Sequence, residues 1–228
     1  MLTHTDHKGK RVYHDATGCS YVSVTSAIRI IAYRLGEPDP YDHVSESLRR
    51  IHQLEGEACH AACLNWLAFA HGLLPHWAPP EWPAYAHPDQ DRWRNVMAAA
   101  VQAFQGWAEA RHVALPVIEH ASVNRHFGLA GRPDLFAIVD WRGRRTPGLI
   151  DLKFVGALQR SHEIQVRLYG KLEAFTDAKI GFLLRIDRAT AQVEERVVFL
   201  NERPDDVAAA INASQLERWA LTNGGGRE

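Results

Sequence analysis

The chain has 228 residues, of which 46% are hydrophobic and 23% charged, and its formal net charge is −1. This length allows one domain with a substantial core, and the composition is that of an ordinary globular protein. A net charge near zero excludes a global basic field, so nucleic acid would have to bind at a local basic groove. No apolar run approaches the roughly 20 residues of a membrane span, and the polar first residues lack the apolar core of a signal peptide. We therefore expect a cytoplasmic protein with no membrane partner.

The chain has three cysteines, Cys19, Cys59 and Cys63. This odd, low number gives no disulfide framework and favours a reducing compartment. Cys59 and Cys63 lie one helical turn apart and could meet a metal, but a zinc or iron–sulfur site normally needs four ligands. We therefore expect both to be small buried residues, and we expect no iron–sulfur cluster.

The first half of the chain is predicted to be mainly helical. Residues 1–22 form a polar arm that can include a short hairpin. Three later segments have apolar residues at helical spacing, and a proline-rich loop precedes the last of them. We expect helices over 27–35, 41–74 and 90–111, with the loop over 76–91.

From residue 114 the pattern becomes that of strands joined by turns, with one helix between strands and one at the end. We expect strands over 117–119, 135–139, 149–154, 179–186 and 193–200, a turn over 142–148, and helices over 161–175 and 204–221. Helices followed by a mixed sheet with a crossover helix predict an α/β fold.

This order predicts one compact domain with two parts and a tail. Residues 1–112 would form an arm and an N-terminal helical lobe, and residues 113–222 the α/β core. Residues 223–228 are rich in glycine and are expected to be disordered.

Two acids and a lysine stand on adjacent strands of one predicted hairpin. Because side chains alternate along a strand, Asp151 and Lys153 point to the same face, and Asp134 on the preceding strand approaches them. Two carboxylates held together repel unless a cation lies between them, and oxygen ligands suit Mg²⁺ or Mn²⁺. Alone, Asp134 could cap a turn and Lys153 could be an edge-strand charge. A buried Asp151 and Lys153 in an apolar strand favour a functional site.

The chain resembles the PD-(D/E)xK nuclease superfamily and, within it, the RecB-like exonucleases, which include phage recombination exonucleases and the mitochondrial genome maintenance exonuclease. The resemblance covers residues 56–170. Each motif is short and common by chance, so the resemblance depends on their order and on the element that carries each one. The motifs are Gly56–His60 (GxxxH), Glu119, Pro133–Asp134, Asp151-Leu152-Lys153, and Gln165 with Tyr169 (QxxxY).

The resemblance implies a restriction-endonuclease-like core, a mixed central β-sheet flanked by helices, and a role for each motif residue. One or two Mg²⁺ or Mn²⁺ ions would be held by His60, Asp134, Asp151 and the backbone carbonyl of Leu152. Lys153 would position the attacking water and help deprotonate it, and Glu119 would bind a second ion or orient that water. Gln165 and Tyr169 share a helix face and would reach the phosphate or brace Lys153. Alone, His60 could be an ordinary core histidine, and Glu119, Gln165 and Tyr169 could be structural.

Basic residues near the acidic hairpin and the following helix could follow the DNA backbone. An ordinary solvated basic surface is an equally good interpretation. The candidate contacts are Arg132, Arg145, Arg160, Arg167 and Lys171.

The resemblance implies a metal-dependent DNA exonuclease that acts on linear single- or double-stranded ends. Its expected setting is phage or prophage recombination or DNA repair, in a bacterial or phage-infected cell, with a recombination or annealing protein as a possible partner. An endonuclease of restriction-like or junction-resolving type is the first alternative. A catalytically silent nucleic-acid-binding domain is the second, and only the family favours DNA over RNA.

Overall fold

The structure is a computed structural model that describes residues 2–7, 10–37, 44–77, 90–187 and 190–223. Within these ranges the fold is mixed α/β, with two five-stranded sheets and five α-helices. The strands are β1 Thr3–His7, β2 Lys10–His14, β3 Ser20–Ser23, β4 Ala114–Ile118, β5 Ser122–Asn124, β6 Leu129–Gly131, β7 Leu135–Trp141, β8 Arg144–Lys153, β9 Ile180–Ile186 and β10 Val193–Phe199. The helices are α1 Val24–Arg34, α2 Glu46–Ala70, α3 Gln90–Ala110, α4 Arg160–Tyr169 and α5 Pro204–Asn223.

The sheet with the longer strands, here called the larger sheet, has the strand order β10-β9-β8-β7-β4 and lies between two helical layers. Strands β8 and β9 are parallel and joined by the crossover helix α4, whereas the other neighbours are antiparallel. Ile150 and Leu152 of β8 pack in the cluster with α2 and α3, and Leu149 packs in the cluster with α4 and α5. Because side chains alternate, Asp151 and Lys153 share the α4 face with Leu149.

The smaller sheet has the order β1-β2-β3-β6-β5 and joins the beginning of the chain to its middle. Strand β3 pairs in parallel with β6, with Val22 opposite Leu129. Helix α1 packs in the same cluster as α4 and α5, on the side of the larger sheet away from α2 and α3. The N-terminal segment thus supplies three strands of the smaller sheet, with β5 and β6 completing it, and helices on both faces of the larger sheet.

The hairpin that carries the acids is longer than predicted. Residues 142–148 were expected to be a turn, but β8 begins at Arg144 and pairs with β7 from Arg144 to Ile150. The turn consists of Arg142 and Gly143, which have φ angles of 52° and 73°. Two consecutive positive φ angles are typical of the tight hairpin turns that match strand twist, and they leave the following residues free to pair.

Two other predictions need correction. The helix expected over 161–175 ends at Tyr169 and is followed by a short 3-10 helix over Glu173–Phe175. Strands β5 and β6 were not predicted, since three residues are too few to show a period. The predicted disordered tail lies almost wholly outside the described residues.

Cys59 and Cys63 of α2 are fully buried between α3 and the larger sheet, as predicted. Burial raises the pKa of the Cys63 thiol, so this side chain stays neutral and packs as an apolar residue. No helix in the described part of the chain is both long and apolar enough to cross a bilayer.

The contact between α4 and β9 can be tested at Gly181. A Cβ on this residue would overlap Val166 Cγ1 and lie 3.3 Å from Leu200 Cδ2, so Gly181→Ala is expected to lower the free energy of unfolding by about 1–3 kcal/mol. The measurement is urea unfolding followed by circular dichroism.

Gly106→Ala is the matched control, because nothing lies within 4 Å of a Cβ at this position in α3. Alanine has the higher helix propensity, so Gly106→Ala should raise stability by about 0.5–1 kcal/mol. Equal effects of the two substitutions would contradict the close packing of α4 on β9.

Candidate active site

Asp134 and Asp151 are brought together by the register of the β7–β8 hairpin. Leu135 pairs with Ile150, which places Asp134 opposite Asp151. The backbone N–H of Leu152 donates to Asp134 Oδ2 at 2.7 Å and fixes this carboxylate at the end of the strand pair. The predicted approach of the two acids is therefore found in the structure.

Asp151 is a buried acid with a basic neighbour. It is 2% exposed, and its Oδ2 lies 2.6 Å from Lys153 Nζ. The same oxygen accepts no well-directed hydrogen bond, so the contact is an ion pair with poor hydrogen-bond geometry. Burial raises the pKa of Asp151 to about 6, against the opposing effect of Lys153. Burial lowers the pKa of Lys153, but the carboxylates of Asp151 and Asp134 outweigh it and raise that pKa overall.

His60 reaches the same acids from the opposite wall, on α2. Its Nε2 lies 2.9 Å from Asp134 Oδ1. Burial disfavours the imidazolium, but the charge and hydrogen bond of Asp134 raise the pKa of His60 overall. Burial likewise raises the pKa of Asp134, but His60 and Lys153 lower it overall. Gly56, the first residue of the GxxxH motif, is not needed for space, because a Cβ there would lie 3.9 Å from Phe154 Cβ.

Helix α4 adds two polar residues one turn apart. Lys153 Nζ donates to Gln165 Oε1 at 3.1 Å, and Gln165 Nε2 donates to the Tyr169 hydroxyl at 2.9 Å. Burial raises the pKa of Tyr169 well above its usual value, so the phenol stays protonated. The chain of hydrogen bonds holds the lysine ammonium between α4 and the acids.

Glu119 follows β4 and stands beside Asp134. Its backbone N–H donates to the Asp134 carbonyl at 3.0 Å, and its φ of 47° lies in the left-handed region. Its Oε1 lies 3.4 Å from an Arg132 nitrogen. Glu119 is thus next to the buried acids but paired with an arginine.

All these side chains line one cleft of about 700 Å³. Five further polar residues line the cleft and were not predicted from the sequence. His52 could have been found, because it lies two turns before His60 on one helix face. Arg11 and Thr25 carried no local signal, because the smaller sheet and α1 bring them to the cleft. The missed residues are Arg11, Thr25, His52, Gln53 and Glu57.

Of the predicted DNA contacts, only Arg132 lines this cleft. Arg145 is six residues before Asp151, about 20 Å along the strand, and its guanidinium donates to the His112 carbonyl. Arg160 is ion-paired with Asp206, and Lys171 lines a separate cavity.

The structure contradicts the predicted DNA contact at Arg167. Its side chain is 3% exposed. The guanidinium donates to the Phe199 carbonyl at 3.2 Å and to Glu163 at 3.4 Å. These contacts fix α4 against β10, because a buried guanidinium needs its partners inside the protein. Arg167 is therefore not available to DNA.

The donor atoms suit a hard divalent ion, although they are not arranged as a finished site. Among the described residues, no three His, Cys, Asp or Glu side chains surround a common point as metal ligands. His60 Nε2 and Asp134 Oδ1 are 2.9 Å apart, close to the roughly 3.0 Å between adjacent ligands of an octahedral ion with bonds of about 2.1 Å. Asp151 Oδ2 is buried without a hydrogen bond. An ion would bind here by taking carboxylate oxygens away from Lys153 and His60.

Comparisons with known proteins do not identify the chain. No protein-family model matches it, and no curated protein matches it. Among solved structures, one described as "Crystal structure of SSO0001" is similar over 86% of this chain and 84% of that chain, at 14% sequence identity and a TM-score of 0.33. A similarity of this size supports no conclusion about family or function.

The position of Tyr169 can be tested through Gly131. A Cβ on Gly131 would lie 2.8 Å from Tyr169 Cε1 and 3.1 Å from Val24 Cγ2. Gly131→Ala is expected to lower the free energy of unfolding by about 1–3 kcal/mol. In a Tyr169→Ala background the same change should cost at least about 1 kcal/mol less, because the overlapping ring is gone. Additive effects in this double-mutant cycle, measured by urea unfolding, would contradict the contact.

The start of α4 should be sensitive to acid through His162. The Gln159 N–H donates to His162 Nδ1 at 3.1 Å, and burial, with Lys153 and Arg196, lowers the pKa of His162 to about 3. Between about pH 6.5 and 3 the unfolded chain binds a proton here that the folded chain does not. Stability should therefore fall as pH is lowered through this window, by up to about 1.4 kcal/mol per pH unit.

His162→Gln keeps a side-chain acceptor but does not titrate. Its stability measured from pH 7 to pH 4 should fall less steeply than that of the unsubstituted protein. Identical slopes would show that His162 is not held neutral by the fold.

Proposed function

We propose that this protein is a metal-dependent nuclease of the PD-(D/E)xK superfamily with a restriction-endonuclease-like core, and that it hydrolyses phosphodiester bonds in DNA. The observation that carries the proposal is the convergence of Asp134, Asp151 and Lys153 in one cleft, with His60 facing them. Burying charged groups is costly to a fold even when they are paired, which favours a functional reason for keeping them.

In this proposal His60, Asp134, Asp151 and the Leu152 carbonyl would hold one Mg²⁺ or Mn²⁺, and Glu119 could contribute to a second. A divalent ion supplies Lewis acidity toward the phosphate and lowers the pKa of bound water. Against the effect of burial, the carboxylates of Asp151 and Asp134 raise the pKa of Lys153. In this proposal its ammonium orients the attacking water and stabilises negative charge on the phosphate.

Gln165 and Tyr169 hold the lysine in place in this mechanism. The Gln165 oxygen accepts from the ammonium, and the Tyr169 hydroxyl accepts from the Gln165 amide. This pairing limits the ammonium to a small region above the acids, which reduces the freedom that would be lost during the reaction.

The RecB-like motifs favour an exonuclease over an endonuclease. GxxxH supplies His60, and QxxxY supplies Gln165 and Tyr169. Under this proposal the enzyme acts on linear DNA ends in phage or prophage recombination or in DNA repair. It would work in the cytoplasm of a bacterial or phage-infected cell, beside a recombination or annealing protein.

One observation favours a catalytically silent DNA-binding domain instead. The His60–Asp134 and Lys153–Asp151 pairs balance the buried charges without any metal ion. Such a domain would bind DNA but would show no hydrolysis with Mg²⁺ or Mn²⁺.

The test is hydrolysis of end-labelled linear DNA and closed circular DNA with Mg²⁺ or Mn²⁺. Activity should require the ion, stop with a chelator and spare closed circles. Asp151→Asn and Lys153→Met should each lower the rate by at least about 100-fold, because each removes a charged group that acts on the reacting phosphate.

Asp177→Asn is the matched control for the acid, since it makes the same chemical change at an exposed position outside the cleft. It should keep the unsubstituted rate. Full activity of Asp151→Asn would refute the catalytic assignment, and cleavage of closed circles would favour the endonuclease. DNA binding without cleavage would support the silent domain.

A further inference from the structure

The Glu119–Arg132 pair lies at the edge of the cleft, beside the buried acids. Its nearest atoms are 3.4 Å apart, and the two side chains are 39% and 41% exposed. An exposed pair at this distance contributes little to stability and breaks easily. It differs from the Asp151–Lys153 pair, which is closer and buried and whose lysine also donates a hydrogen bond to Gln165.

The backbone fixes both partners even though the pair itself is weak. Glu119 has a left-handed φ of 47° and is bound to the Asp134 carbonyl. A non-glycine residue in this region is strained, which marks positions held by the surrounding structure. Arg132 stands between Gly131, which packs directly on Tyr169, and Pro133, whose ring fixes φ. Both residues line the cleft from backbone positions that the surrounding structure constrains.

Glu119 and Arg132 could each bind a ligand more strongly than they bind each other. Arg11, Arg132 and Lys153 are basic, whereas four lining residues are acidic: Glu57, Glu119, Asp134 and Asp151. Against the effect of burial, Asp134 raises the pKa of His60, and with His60 protonated the four acids face four bases, so a cation or a phosphate that enters the cleft has to displace a charge partner that is already present. A carboxylate beside this site is a ligand for a cation, and a half-exposed guanidinium is a ligand for phosphate.

We propose that the Glu119–Arg132 ion pair couples cation binding to DNA binding. A divalent ion binds Glu119 and a DNA phosphate binds Arg132, and either binding event breaks the ion pair. This inference rests on the proposed nuclease function and adds a regulatory step to the same site. The free energy needed to break the ion pair reduces the affinity of whichever ligand binds first. The second ligand then binds a residue that is no longer paired. The two ligands therefore favour each other's binding, and the effect is reciprocal.

The coupling can be measured without catalysis. DNA affinity is determined by fluorescence anisotropy at zero and saturating Ca²⁺, with a labelled partial duplex that has one single-stranded end and phosphorothioate linkages. Ca²⁺ affinity with and without the same DNA is determined by calorimetry. The ratio of the two DNA dissociation constants is the coupling factor.

Arg132→Gln should lower the coupling factor by up to about fivefold, the size expected for an exposed ion pair. Arg11→Gln is the matched control, because it removes the same charge from the same cleft but from a residue that is not paired with Glu119. It should weaken DNA binding and leave the coupling factor unchanged. Glu119→Gln frees Arg132 and should tighten DNA binding in the absence of Ca²⁺.

Equal coupling factors for Arg132→Gln and the unsubstituted protein would overturn the inference and leave the nuclease function standing. A similar loss in Arg11→Gln and Arg132→Gln would also overturn it, because the effect would then be one of general charge. A protein that binds neither Ca²⁺ nor DNA would refute the proposed function itself. Circular dichroism of each variant separates these outcomes from misfolding.

Discussion

Two carboxylates at the end of one β-hairpin are the constraint on which the rest of the molecule depends. Asp134 and Asp151 face each other across β7 and β8, where burial disfavours their charges. Their compensating cations come from different places: His60 stands on α2, and Lys153 on β8 is held by Gln165 of α4. A site of this kind can exist only after both helical layers have packed on the sheet, so its chemistry and the stability of the fold are linked.

Much of this site could be predicted from local patterns. Alternation along a strand put Asp151 and Lys153 on one face, and helical spacing put Gln165 and Tyr169 on another, and the structure shows both. The hairpin itself was predictable, but its length was not. Arg142 was assigned to a long turn because arginines, glycines and a proline follow β7, yet two positive φ angles closed the turn in two residues.

The remaining features depend on contacts between distant parts of the chain. No local pattern indicates that Val22 pairs with Leu129, and this pairing is what brings Arg11 to the cleft. The exposure of the arginines also depends on contacts between distant parts of the chain. Arg167 has the sequence context of an exposed helical residue, but β10 covers it. Whether a cation faces solvent or another strand is decided by tertiary packing, which a single sequence does not display.

The β3–β6 pairing also has a consequence for the order of folding. Its two strands are separated by about 100 residues, and contacts of such long range form late because closing the loop is entropically unfavourable. On the ribosome, the first strands must wait for β6 to emerge before their sheet can be completed. The wall that carries Arg11 is thus assembled only after α2, which carries His60 at the opposite wall, has already been synthesised.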